Sequence, residues 1–137
     1  MAKDLYHTKV KKALEKDGWK ITDDPYLLQS GKIKYQVDLG AEKLFGAKKG
    51  NVKNLVEVKS IVGPSDINEF HRADGQYVDY LVVLDDVEPD RILYLAVPNF
   101  AWHDFFQEKA IQKALNFIKA KVLIYNPIQE TIEKWIK

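Results

Sequence analysis

Leu55-Val56-Glu57-Val58-Lys59-Ser60-Ile61 sets a carboxylate and an ammonium in the middle of an apolar, strand-forming run. Side chains two apart on a strand project from the same face, so Glu57 and Lys59 stand side by side while Val58 points away. Burying such a charge costs several kcal/mol unless it is paired, hydrogen-bonded or bound to a metal. A short distance upstream, Tyr35-Gln36-Val37-Asp38-Leu39 carries another acid among apolar neighbours. Two acids and a lysine on adjacent strands make a cradle for a divalent cation and a water, the chemistry of metal-assisted phosphodiester cleavage.

Outward from that run, the chain reads as helices alternating with strands. Asp4 to Lys16 carries Tyr6, Val10, Ala13 and Leu14 at helical spacing, and Gly18 is a good stop. Thr22-Asp23-Asp24-Pro25 makes a turn before a short first strand, Tyr26-Leu27-Leu28, and Gln29-Ser30-Gly31-Lys32 makes another. Lys34 to Leu44 reads as a second strand, bent at Gly40. A polar loop from Gly46 to Lys53 leads into the third strand, Leu55 to Ile61. Gly63-Pro64-Ser65 breaks that strand, with Ser65 as the expected N-cap of a helix running from Asp66 to Tyr80. The β-rich Tyr80-Leu81-Val82-Val83-Leu84 leaves the end of this helix open, and Asp85 to Asp90 reads as a loop. Arg91 to Val97 is an expected strand stopped by Pro98, Phe100 to Lys119 a helix, Lys121 to Tyr125 a last strand, and Gln129 to Lys137 a short amphipathic helix. The order α, three strands, α, strand, α, strand, α predicts an α/β fold with a mixed central sheet flanked by helices, in one domain spanning residues 1–137.

At 137 residues the chain lies in the single-domain range of roughly 100–200 and is long enough for a proper core. Cysteine is absent, which excludes a disulfide framework and a thiolate zinc site and is consistent with a cytoplasmic home. The N-terminus lacks the apolar core of a signal peptide, Met1 reads as a natural start of a complete chain, and no apolar run approaches the length of a membrane span. A net charge of +1 argues against a broadly basic nucleic-acid coat. Contact with DNA would have to come from local patches or a partner. The stretches Lys43–Lys53 and Lys109–Lys121 lean basic, and both read first as solvated surface. No Gly-rich phosphate loop, nucleophile elbow or His-x-x-x-His helix is present.

If the Asp38 and Glu57 strands pair with their faces coinciding, both acids reach one hard cation through oxygen. Lys59 would then orient the attacking water or stabilise charge on the phosphate. A plainer reading makes Glu57 and Lys59 an edge-strand ion pair and Asp38 the hydrogen-bond acceptor of a turn. The following helix adds Gln76 and Tyr80, four apart on one face, offering an amide and a hydroxyl to a bound water or a phosphate. Packing is the competing role for Tyr80, as for Tyr77. Gly75 costs roughly 1 kcal/mol inside a helix against Ala, which suggests a close helix–strand approach there. His7 on the first helix is the remaining candidate metal ligand, against a surface or packing role.

Asp38, Glu57-Val58-Lys59 and Gln76-x-x-x-Tyr80 together resemble the PD-(D/E)xK, or restriction endonuclease-like, superfamily, and His7 with the Gln-x-x-x-Tyr element resembles its RecB-like branch. Val37 stands where the superfamily name has proline, which leaves the Asp38 carboxylate in place. More specifically, nearly the whole chain resembles the XisH family of fdxN element excision controlling factors. The resemblance rests on His7, Lys16-Asp17-Gly18-Trp19, Asp23-Asp24-Pro25, Val37-Asp38-Leu39-Gly40-Ala41-Glu42, Val56-Glu57-Val58-Lys59-Ser60, Gly75-Gln76-Tyr77, Arg91 through Pro98 and Trp135. It implies a role in programmed DNA excision during heterocyst differentiation in cyanobacteria, beside a site-specific recombinase and a small companion, XisI. On the enzyme reading, Asp38 and Glu57, with His7, bind Mg2+ or Mn2+, Lys59 positions water, and Gln76 and Tyr80 hold the DNA backbone. On the alternative, the chain is a DNA-associated accessory that keeps the fold and works through an XisI-like partner or a second copy of itself.

Overall fold

In the computed structural model, which describes residues 2–44, 51–60 and 66–137, the first helix, α1 (Ala2–Lys16), buries Val10, Ala13 and Leu14. Gly18, at φ +89°, takes the left-handed conformation that ends it. The Gly18 N–H donates to the Glu15 carbonyl and the Trp19 N–H to the Leu14 carbonyl, a Schellman closure whose apolar members, Leu14 and Trp19, share one core cluster. Next come β1 (Lys20–Asp23), β2 (Tyr26–Ser30), β3 (Ile33–Val37), β4 (Leu39–Leu44) and β5 (Asn51–Val58). After α2 (Asp66–Val87) follow β6 (Ile92–Pro98), α3 (Asn99–His103), a 3-10 turn over Phe105–Gln107, α4 (Lys109–Phe117), β7 (Val122–Asn126) and β8 (Thr131–Ile136).

Six strands form one mixed sheet in the order β1-β4-β5-β6-β7-β8, while β2 and β3 pair as a separate hairpin. β5, β6 and β7 run parallel, as expected where helices cross over between strands, and the outer strands are antiparallel. The two faces of this sheet bury different clusters. On one lie Leu55, Leu93, Leu95, Val97, Val122 and Ile124, packed under Phe70, Ala73, Tyr77, Tyr80 and Leu84 of α2 and under Ile111 and Leu115 of α4. On the other lie Leu39, Val56, Val58, Tyr94, Ala96, Leu123 and Tyr125, packed under Val10 and Leu14 of α1. The expected mixed sheet flanked by helices is therefore present. Among the described residues no helix is long and apolar enough to cross a membrane.

Several boundaries differ from the sequence reading, each for a local reason. The single strand expected over Lys34–Leu44 is two strands in different sheets, broken at Asp38 and not at Gly40. The strand Lys20–Asp23, where the sequence suggested only a turn, pairs with β4 through a register shift between Ile21 and Asp23. Tyr80 to Leu84 continues α2 to Val87, because Phe70, Ala73, Tyr77, Tyr80 and Leu84 form one buried stripe at alternating spacings of three and four. The long helix expected from Phe100 breaks into α3, the 3-10 turn and α4. The expected last helix is instead strand β8: Asn126 Oδ1 accepts from the N–H groups of Ile128 and Gln129, turning the chain back along β7. Ile61 and the Gly63-Pro64-Ser65 breaker lie outside the described residues.

Candidate active site

Asp38 sits where the chain leaves β3 and enters β4, directly before the pair Leu39–Val56 of the β4–β5 ladder. Here side chains take over from the backbone ladder. The Asp38 N–H donates to Glu57 Oε1 at 3.1 Å, and the Val58 N–H donates to Asp38 Oδ2 at 2.8 Å. Each acid thus binds the main chain of the other strand, and such charge-assisted bonds are stronger than neutral ones. On the far side of β5 the Lys59 N–H donates to the Ala96 carbonyl of β6, so Lys59 is held at the end of the parallel ladder. Its Nζ lies 3.4 Å from Glu57 Oε2, with the Lys59 side chain 22% and the Glu57 side chain 8% exposed.

The faces coincide as the strand alternation demands. Leu55 belongs to the α2 side and Val56 and Val58 to the α1 side, so Glu57 projects beneath α2. Burial, then the neighbouring Asp38 carboxylate, push Glu57 up to about 7, with Lys59 pulling the other way. The site is an acid pair holding more negative charge than its single ammonium balances.

Tyr80 stands over this pair. Its hydroxyl is 3.4 Å from the Gln36 carbonyl and close enough to Glu57 to share a hydrogen bond, and its ring packs edge-on to Tyr35 at 5.3 Å. Burial, then the charges of Glu57 and Asp38, raise its phenol well above the usual range. One turn earlier, the buried Gln76 Oε1 has no hydrogen-bond partner among the described residues. Gly75, beside it, is exposed, and a Cβ there would meet nothing within 4 Å, so the close helix–strand approach inferred for it does not exist.

His7 is engaged elsewhere: its Nε2 lies 2.6 Å from Asp24 Oδ1, on the turn between β1 and β2, while Lys11 Nζ holds Asp24 Oδ2 at 2.9 Å. Burial opposes the Asp24 charge, but Lys11 and His7 outweigh it and hold the carboxyl below its ordinary range. The structure therefore joins Asp38, Glu57, Lys59 and Tyr80, sets Gln76 one turn away, and gives His7 a separate acid. Among the described residues no three of His, Asp and Glu gather into one metal-holding group. Sequence reasoning missed the part played by the Asp38 and Val58 N–H groups, which no side-chain pattern encodes.

Fold and site define the class: an α/β protein whose mixed sheet carries one buried acid, one half-buried acid and a lysine where two strands meet. The chain belongs to the XisH family. Residues 1–133 match the family described as XisH protein. The chain is similar to the crystal structure of a fdxN element excision controlling factor protein from Anabaena variabilis, with 42% identity, a TM-score of 0.89, and 98% of this chain and 99% of that one covered. It is also similar to an XisH family protein from Nostoc punctiforme PCC 73102, with 40% identity, a TM-score of 0.88, and 97% and 99% of the two chains covered. No curated protein matches it.

Proposed function

We propose that the chain is an excision controlling factor built on a single restriction endonuclease-like domain, and that it hydrolyses phosphodiester bonds in DNA at Asp38, Glu57 and Lys59 with a bound Mg2+ or Mn2+. The observation that carries this reading is the clasp between Asp38 and Glu57, with the Lys59 ammonium 3.4 Å from Glu57 Oε2. A purely structural ion pair would balance its charges. This one sets two acids, Glu57 buried and Asp38 half-buried, against one lysine, and burial, then the Asp38 charge, raise Glu57 to about 7.

The residues fit a divalent cation. Asp38 and Glu57 are hard oxygen donors on adjoining chain segments, and Gln76, one helical turn before Tyr80, carries a buried Oε1 without a partner among the described residues. A cation bound by Asp38 and Glu57 supplies Lewis-acid polarisation of the phosphoryl group and a more acidic water. Lys59, partly exposed beside the buried Glu57, has an ammonium that can hold the water or offset charge on the phosphate. Tyr80, its phenol raised and so protonated at neutral pH, is a hydrogen-bond donor, and Gln76 offers an amide to the strand. His7, bound to Asp24, ties α1 to the turn between β1 and β2.

The net charge of +1 favours one second reading: an accessory that contacts DNA beside an XisI-like protein, a site-specific recombinase or a second copy of itself. Supercoiled plasmid incubated with purified protein and Mg2+ or Mn2+ separates the two. Metal-dependent nicking that disappears in Glu57→Ala supports the nuclease. Absence of nicking with and without an XisI-like protein, while DNA or recombinase binding persists, overturns it in favour of the accessory.

A further inference from the structure

We propose that the cavity on the α1 face of the sheet, away from Asp38 and Glu57, is a binding site for a nucleotide, taking its base against an aromatic wall and its phosphate against lysines. The cavity has a volume of about 620 Å3, inside the range of small-molecule sites, roughly 300–1,000 Å3. Trp19, Tyr94 and Trp135 line it. Trp135 is their hub, edge-on to Tyr94 at 4.7 Å and tilted against Trp19 at 5.5 Å. Aromatic walls of this kind accept a flat ring of any base. Lys121 and Lys137 stand at the same cavity, and among the described residues neither ammonium has an acidic partner.

The second observation is Asn54. It lines the cavity from β5, is 98% buried, being 2% exposed, and its Oδ1 has no hydrogen-bond partner among the described residues. On that face its strand neighbours Val56 and Val58 are apolar, and an apolar side chain would have filled the position without a stranded carbonyl. A buried amide oxygen without a donor, on a residue lining an aromatic cavity, calls for an N–H group, and every base bears one as an exocyclic amine or ring imino group. The ring, the donor and the anion together specify a base with its phosphate. That unit comes either from a free mononucleotide or from the unpaired end of a DNA strand.

The site is independent of the nuclease reading, since Asn54 and Glu57 leave β5 on opposite faces, and nucleotide binding is read without cleavage. Tryptophan fluorescence of the full chain is followed during titration with dAMP, dCMP, dGMP and TMP, and separately with 5′-phosphorylated duplexes that are blunt or carry a single-stranded overhang. Saturable quenching by mononucleotides identifies the free ligand as the source, and quenching by overhang duplexes alone identifies the strand end. Lys121→Gln with Lys137→Gln should weaken binding about tenfold or more, the loss of a contact worth about 1.4 kcal/mol. Asn54→Leu should abolish it while leaving the thermal midpoint unchanged or raised. Because the lysine pair is at the surface, that variant keeps the test intact should Asn54→Leu fail to fold. No saturable response to any nucleotide or duplex at millimolar concentration, or equal binding by wild type and the lysine variant, overturns the proposal.

Discussion

Replacing Glu57 with Gln removes one ionisation from the buried clasp while keeping an oxygen to accept the Asp38 N–H. In the folded chain Glu57 holds its proton up to about 7, against an ordinary value of 4.5. Folding therefore takes up a proton between those values, and the stability linked to this group is full below pH 4.5 and is lost as the pH rises through 7. Each pH unit corresponds to about 1.4 kcal/mol, so the interval amounts to about 3 kcal/mol. Glu57→Gln lacks this dependence. Urea unfolding of both proteins in EDTA, from pH 4.5 to pH 8, should show the variant gaining about 3 kcal/mol on the wild type across the window, with similar stabilities at the acid end. Saturating Mn2+ at pH 8 should return stability to the wild type and none to Glu57→Gln, because an ion bound only to the folded state stabilises it by mass action. A stability difference that stays flat over the whole window would refute the reasoning, since Glu57 would then titrate alike folded and unfolded.

Other substitutions test the local physics. Asp38→Ala strands the Val58 N–H, now bound to Oδ2 at 2.8 Å, and should cost about 1–3 kcal/mol by urea denaturation, with Asp38→Asn milder because it retains an acceptor. Gly75→Ala should stabilise the chain by about 1 kcal/mol, since that glycine lies in the exposed interior of α2 with open space where a Cβ would go. Gly18→Ala should do the reverse by about 1–2 kcal/mol, because φ +89° is a conformation L side chains rarely adopt. Both are read from thermal melts, and equal signs for the two would contradict the backbone argument.

Where the sequence misled, the period of its apolar residues was ambiguous. In β8, Ile132, Trp135 and Ile136 fall at the spacing of a helical face. The strand accommodates that spacing through a register shift: Ile124 pairs with Lys134 and Tyr125 with Ile132, leaving Glu133 as the extra residue. Ile132 and Trp135 can then pack on one side of the sheet and Ile136 on the other. Tyr80 to Leu84 is the converse case, a β-rich string that stays helical because Tyr77, Tyr80 and Leu84 prolong a stripe already begun at Phe70. The acid–x–lysine triplet was legible because charges inside an apolar strand need a reason, and alternation alone put Glu57 and Lys59 on one side.

By itself the chain's order of residues determined the first helix, the helix after Ser65, the strands at Leu55, Arg91 and Lys121, the side on which Glu57 and Lys59 project, and the acids worth watching, since each follows from local periodicity and the cost of burying charge. Only the tertiary structure decided that β3 and β4 part at Asp38, that Asp38 and Glu57 grip each other's backbone, and that Asn54 and Trp135 line one cavity. Those outcomes depend on register between segments distant along the chain, which is set by how the two faces of the sheet are covered and leaves no mark in a local pattern.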